Sequence, residues 1–138
     1  MAGVTHTRIE DIDALEGMLD GIAMRQVAAG LGVKAFGISI VEMEPNADAY
    51  PEHDHSEQGL GGKMFAKRPQ QLGQEEVYIA LRGSGTIEAD GVSYPLDGEH
   101  IARLDPEVKR KIVAGDEGLR LLALGGIPGE PYDTGGTL

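Results

Sequence analysis

Short apolar runs, each closed by Gly, Asp or Pro, recur along most of this 138-residue chain, and that rhythm limits its fold more than any other feature. Residues 34–43 read Lys-Ala-Phe-Gly-Ile-Ser-Ile-Val-Glu-Met, with Phe36, Ile38 and Ile40 alternating before Glu44-Pro45-Asn46 ends the run. A period of two puts successive side chains on opposite faces of a strand. Further runs occupy 77–81, 86–89, 92–96, 99–104, 109–113 and 119–124. Asp90-Gly91 separates two of them and reads as a hairpin turn, because a two-residue turn of the favoured type needs positive φ at both central positions. Strands at roughly 8- to 12-residue spacing with turn residues between them predict an all-β sandwich or barrel. Glycine, at 21 of 138 residues, is about twice its usual ~7% share, as expected of a chain built from tight turns.

The N-terminal third reads differently. Leu15, Met18, Leu19 and Ile22 have helical spacing, although Gly17 and Gly21 each cost about 1 kcal/mol in a helix interior. The expectation there is a short helix or an irregular cover. Residues 59–73 read as an inserted loop whose Lys63, Lys67 and Arg68 either draw in an anionic substrate beneath a lid or simply solubilise the surface. Its Gly-Leu-Gly-Gly-Lys stretch is no phosphate loop, since Met64 stands where Ser or Thr is required. The last residues, with two Pro and three Gly between 128 and 136, read as frayed.

Composition excludes several function classes. Twelve Lys and Arg against 23 Asp and Glu give a formal net charge of −11, which argues against nucleic acid as a partner. The chain has no Cys, so disulfides, thiol catalysis and cysteine-held metal centres are out. No apolar run approaches the ~18 residues of a membrane span. The opening residues lack the basic and apolar regions of a signal peptide. The expectation is a cytoplasmic protein with no membrane partner.

One cluster carries chemistry. His53 and His55 lie two apart in Tyr50-Pro51-Glu52-His53-Asp54-His55, so in an extended segment both imidazoles project from one face. Glu76 opens the run 77–81, and a neighbouring strand would bring its carboxylate beside the two nitrogens. Two His and one carboxylate with open positions suit Fe(II), and equally Mn, Co, Ni or Zn. Tyr78, Ala80 and Arg82 share the Glu76 face by the period of two; Tyr78 could supply a proton to the pocket or serve as amphipathic core. Val77, Ile79 and Leu81 face the other way and need a cover.

His53, His55, Glu76 and Gly83 match His-x-His, a spacer and Glu-x6-Gly, and here the chain resembles the cupin superfamily. The resemblance spans about residues 34–126 and implies a single domain over 1–138, a double-stranded β-helix (jelly-roll) barrel with a metal at its mouth. Two departures stand out. Twenty residues separate His55 from Glu76, far more than the family's spacer. The family's second motif, Pro-x-Gly-x-x-His with Asn four residues on, aligns best with residues 105–110 and Ala114, which puts the fourth ligand on Arg110. A guanidinium stays protonated and cannot ligate. Arg110 is expected either to orient a substrate carboxylate opposite the metal or to pair with Glu76 in the metal's place. His100 lies ten residues too early to replace it.

The resulting expectation is a metal-dependent enzyme acting on a small organic molecule, anionic or neutral, by isomerase, lyase or dioxygenase chemistry. Its metal ligands are His53, His55 and Glu76, with Arg110 and Tyr78 as catalytic residues. The alternative is a metal-free cupin that binds a small ligand without catalysis. The apolar stripes at 77–81 and 119–124 predict a homodimer.

Overall fold

A computed structural model describes residues 3–56 and 72–131. After a 3₁₀ turn at Ile9–Asp11 come β1 (Ala14–Leu19), β2 (Ile22–Arg25), a helix α1 (Val27–Leu31) and β3 (Gly37–Met43). The chain then forms β4 (Glu75–Ala89), β5 (Val92–Leu96), β6 (Ile101–Leu104) and β7 (Lys111–Gly126). All pairings are antiparallel, in the order β1-β2-β3-β7-β4-β5, with β6 on β4. The architecture is the expected all-β jelly roll.

The two long strands organise the roll. The first half of β4 pairs with β6 and with the end of β7, and its second half pairs with β5 and the start of β7. Both strands change course near the middle. Gly83 lies there at φ +75°, and a Cβ on it would run into the Gly118 carbonyl, so only glycine fits. Tyr78 and Ala80 from one half of β4, and Ile87 and Ala89 from the other, pack into one core with Val41, Leu96, Ile112 and Leu121. The runs 77–81 and 86–89 are thus one continuous strand, as are 111–113 and 119–124, with Lys109 and Arg110 lying before it.

The N-terminal third does supply cover and one short helix, but not where helical spacing placed it. Leu15, Met18, Leu19 and Ile22 are not helical; they belong to the β1–β2 hairpin, which joins the same sheet upstream of residue 34. Asp20-Gly21 is its two-residue turn, with Leu19 opposite Ile22 and Gly21 at φ +70°. Register shifts between Leu15 and Leu19, where Gly17 takes φ +77°, the signature of a bulge. Bulge and turn together reproduce the spacing of a helical stripe. The α-helix found among the described residues, α1, packs with Ile12 onto Ile40.

A second correction concerns Arg82. The register slips by one between Ala80 and Arg82, so Arg82 lies opposite Arg120. Arg120 sits on the outer face with Glu42, so Arg82 leaves the face of Glu76 and Tyr78. Of the expected insertion, residues 59–71 lie outside the described residues, as do Lys63, Lys67 and Arg68. Its base is closed by the Gly73 N–H donating to the His55 carbonyl at 2.5 Å.

Candidate metal centre

His53 and His55 come from an extended segment held against the residues before β7, not from a full strand. His53 and Arg110 exchange backbone hydrogen bonds of 3.0 and 2.8 Å, and the His55 N–H donates to the Pro106 carbonyl at 2.7 Å. Both imidazoles are thereby turned inward and buried. Glu76, at the start of β4, stands between Gly125 of β7 and Leu104 of β6. One ligand atom from each of His53, His55 and Glu76 falls within 4.8 Å of the others.

The donor set is chemically prepared for a cation. His53 Nδ1 lies 3.1 Å from the Pro51 carbonyl; a carbonyl only accepts, so Nδ1 carries the proton and Nε2 keeps its lone pair. Burial, the dominant influence, lowers the His53 pKa and so favours the neutral ring a metal requires. Burial alone would raise Glu76, but hydrogen bonds from His55 and Tyr78, with the Arg110 charge, hold its carboxyl below the ordinary value. Its Oε1 lies 2.9 Å from His55 Nε2 and accepts from the Tyr78 hydroxyl at 2.7 Å. Burial first, and the Glu76 charge second, push Tyr78 well above the usual tyrosine value. The phenol therefore stays protonated.

Arg110 completes the cluster from behind. It is 0% exposed, and its Nη1 stands 3.8 Å from Glu76 Oε1 while Nη2 donates to the Asp105 carbonyl at 3.0 Å. Among the described residues, Nε and Nη1 have no hydrogen-bond partner. Lys109 points to solvent, and Lys111 caps the carbonyls of Asp48 and Tyr50. The expected inward turn of Arg110 is what the backbone gives. Among the described residues, however, Arg110 does not reach the wall of the adjoining cavity. That geometry favours action on Glu76 over direct contact with a substrate carboxylate.

The cavity measures about 480 Å³ and brings two further residues to the cluster, Tyr50 and Gln74. Tyr50 stacks on His53 at 5.2 Å between ring centroids, and burial and Glu76 raise its pKa. Gln74 is buried beside Gly125, where any Cβ would strike its side-chain oxygen. Extending the period of two backwards from Glu76 would have found Gln74. Nothing comparable marks Tyr50, three residues before His53. His100 pairs with Asp97 at 2.7 Å on the exposed surface, away from the site.

With this geometry in view, solved structures give the comparison. The chain superimposes on a cupin protein from Bacteroides fragilis with a TM-score of 0.64 at 20% identity, covering 100% of this chain and 98% of that one. The fold is the cupin barrel. The cupin-superfamily sugar phosphate isomerase of Silicibacter pomeroyi matches with a TM-score of 0.66 at 17% identity, over 88% of this chain and 75% of that one. A predicted oxalate decarboxylase from Thermotoga maritima matches at 0.63 and 18% identity, over 89% of this chain and 99% of that one. No family model and no curated protein sequence matches the chain. Among the described residues no helix is long and apolar enough to cross a membrane. The cupin barrel places His53, His55 and Glu76 together at the inner end of its cavity.

Proposed function

We propose that this cupin binds one divalent cation through His53, His55 and Glu76 and acts as an enzyme on a small organic molecule held in the adjoining cavity. The observation that carries this reading is the convergence of three ligand atoms within 4.8 Å at the inner end of that cavity. Fe, Mn, Ni, Co and Zn all suit two imidazoles and a carboxylate. A bound cation would supply Lewis-acid polarisation of a substrate oxygen or, as Fe(II), activation of dioxygen. The chain's own contribution is positional and protonic. Tyr78 holds a proton on its hydroxyl 2.7 Å from Glu76 Oε1, within reach of a basic atom that enters beside the carboxylate. Arg110 is a positioning residue: its charge 3.8 Å from Glu76 keeps that carboxylate ionised and oriented. The isomerase and the predicted oxalate decarboxylase among its structural neighbours support enzyme chemistry on small molecules, but fold likeness leaves the reaction type open. A cytoplasmic homodimer is the setting that goes with this reading.

The Arg110–Glu76 approach also supports a second reading, a ligand-binding cupin in which the guanidinium replaces the metal. Elemental analysis of untagged protein separates the two. The expected result is close to one divalent ion per chain in the wild type, lost on joint replacement of His53 and His55 by Ala with the barrel still folded by circular dichroism. Wild-type protein that stays metal-free after incubation with Fe(II), Mn, Ni and Zn would leave the second reading standing.

A further inference from the structure

Away from the His–Glu–Tyr cluster, the cavity wall changes character. Ile22, Met24, Val41, Ile112 and Leu121 line it, and the wall continues outward to Leu15 and Met18 on the bulged strand β1. In a regular strand Leu15 and Met18 would face opposite sides. The bulge at Gly17 brings both to the cavity, where they stand 41% and 76% exposed. Exposed large apolar groups at the rim of an apolar wall extend that wall toward solvent. Beyond the cluster, the polar side chains lining the cavity among the described residues are Arg25, Gln26 and Ser39. Arg25 is largely engaged elsewhere, its Nη1 donating to the Ile12 carbonyl at 3.0 Å and its Nη2 standing 3.6 Å from Glu42, while its buried Nε has no hydrogen-bond partner among the described residues. A phosphate or a polyhydroxylated chain would lose its water along this wall and find few partners, which is costly.

From this we infer that the site takes an apolar-bodied ligand: an oxygen-bearing head at His53, His55 and Glu76, with an aliphatic or aromatic body along Met24, Val41 and Leu121 toward Leu15 and Met18. Two methionines on the wall suit such a body, since the thioether chain repacks around different shapes. The inference rests on the proposed function only for the head end; the tail end stands on the wall itself.

The test is calorimetric titration of metal-loaded protein with pyruvate, 2-oxobutanoate, 2-oxohexanoate and 2-oxooctanoate, which share a head and differ in tail. Affinity should rise about three- to fourfold with each methylene until the tail reaches the rim. Leu15→Gln with Met18→Gln, both at exposed positions, should weaken the longest member at least threefold and leave pyruvate unchanged. Glucose 6-phosphate should bind more weakly than 2-oxohexanoate. A series that is flat or falls with tail length overturns the inference while pyruvate binding keeps the head assignment. Failure of every 2-oxo acid to bind also overturns it, and the metal content of the same sample then decides separately whether the proposed function falls as well.

Discussion

Arg110 has the most to say about this chain because it is a fully buried cation whose Nε and Nη1 have no hydrogen-bond partner among the described residues. Its backbone is fixed by the bridge to His53, and its Nη2 by the Asp105 carbonyl, so it cannot retreat to solvent. Removing one partner of a buried ion pair leaves an uncompensated charge and costs about 3 kcal/mol or more. Arg110→Ala should therefore lower the unfolding free energy of metal-free protein in urea, and added divalent metal should restore part of the loss by neutralising Glu76. Arg110→His should hold metal longer against a chelator than the wild type, because it adds a fourth nitrogen where a cation stood. Tighter metal retention in Arg110→Ala but not in Arg110→His would mean the arginine acts only as a repelling charge. Glu76, His53 and His55 were legible because their residue types and order match a motif. That Arg110 stops short of the cavity wall was not, because sequence order does not measure depth behind a wall.

At the scale of elements, alternation made strands 3 to 7 readable, whereas bulges hid two features. Leu15, Met18, Leu19 and Ile22 imitate a helix because the bulge around Gly17 inserts two extra residues and Asp20-Gly21 reverses the chain. Arg82 was assigned to the pocket face because a strict period of two takes no account of the slip after Ala80. The relocated Arg82 joins an ionic patch across β2, β3 and β7. Arg120 donates to Glu42 from Nε at 2.5 Å and from Nη2 at 3.1 Å. Arg25 stands 3.6 Å from the same carboxylate. Burial works to raise the Glu42 pKa, but the hydrogen bond and charge of Arg120, with Arg25 and Arg82, bring it below its ordinary value. A carboxylate depressed in the folded state adds stability above its unfolded pKa and gives it up as pH falls through the folded one. The wild-type urea midpoint should thus fall more steeply from pH 5 to below pH 4 than that of Glu42→Gln, with the two proteins differing most near neutrality. Parallel pH profiles would show that Glu42 adds nothing through its charge.

For the whole molecule, the remaining question is what covers the outer face of the sheet. The segment containing Ile9, Ile12 and α1 packs over Ile38, Ile40 and Leu122, so the N-terminal third covers one side of it. Beyond that cover, Val77, Ile79 and Leu124 are only half-buried, and Ile101, opposite Ile79 on β6, is 70% exposed. Arg103 closes the border of this area by pairing with Glu75 at 3.0 Å and Asp105 at 2.5 Å. An apolar area of this kind with a charged border fits a second copy of the same chain, since a two-fold axis sets the same residues against one another. Light scattering at micromolar concentration should give a dimer mass, and Ile101→Glu should shift it to monomer without changing the circular dichroism spectrum. Charge adds a sharper form of the prediction. Each chain carries a formal −11, so two chains repel at low ionic strength, and salt with a Debye length of about 8 Å near physiological strength screens that repulsion. Apolar contact does not weaken on such screening. Dimerisation held by the Ile79–Ile101 face should therefore tighten from low to moderate salt, whereas an interface held by cross-chain ion pairs would loosen. A monomer mass at every salt concentration would mean the N-terminal segment is cover enough.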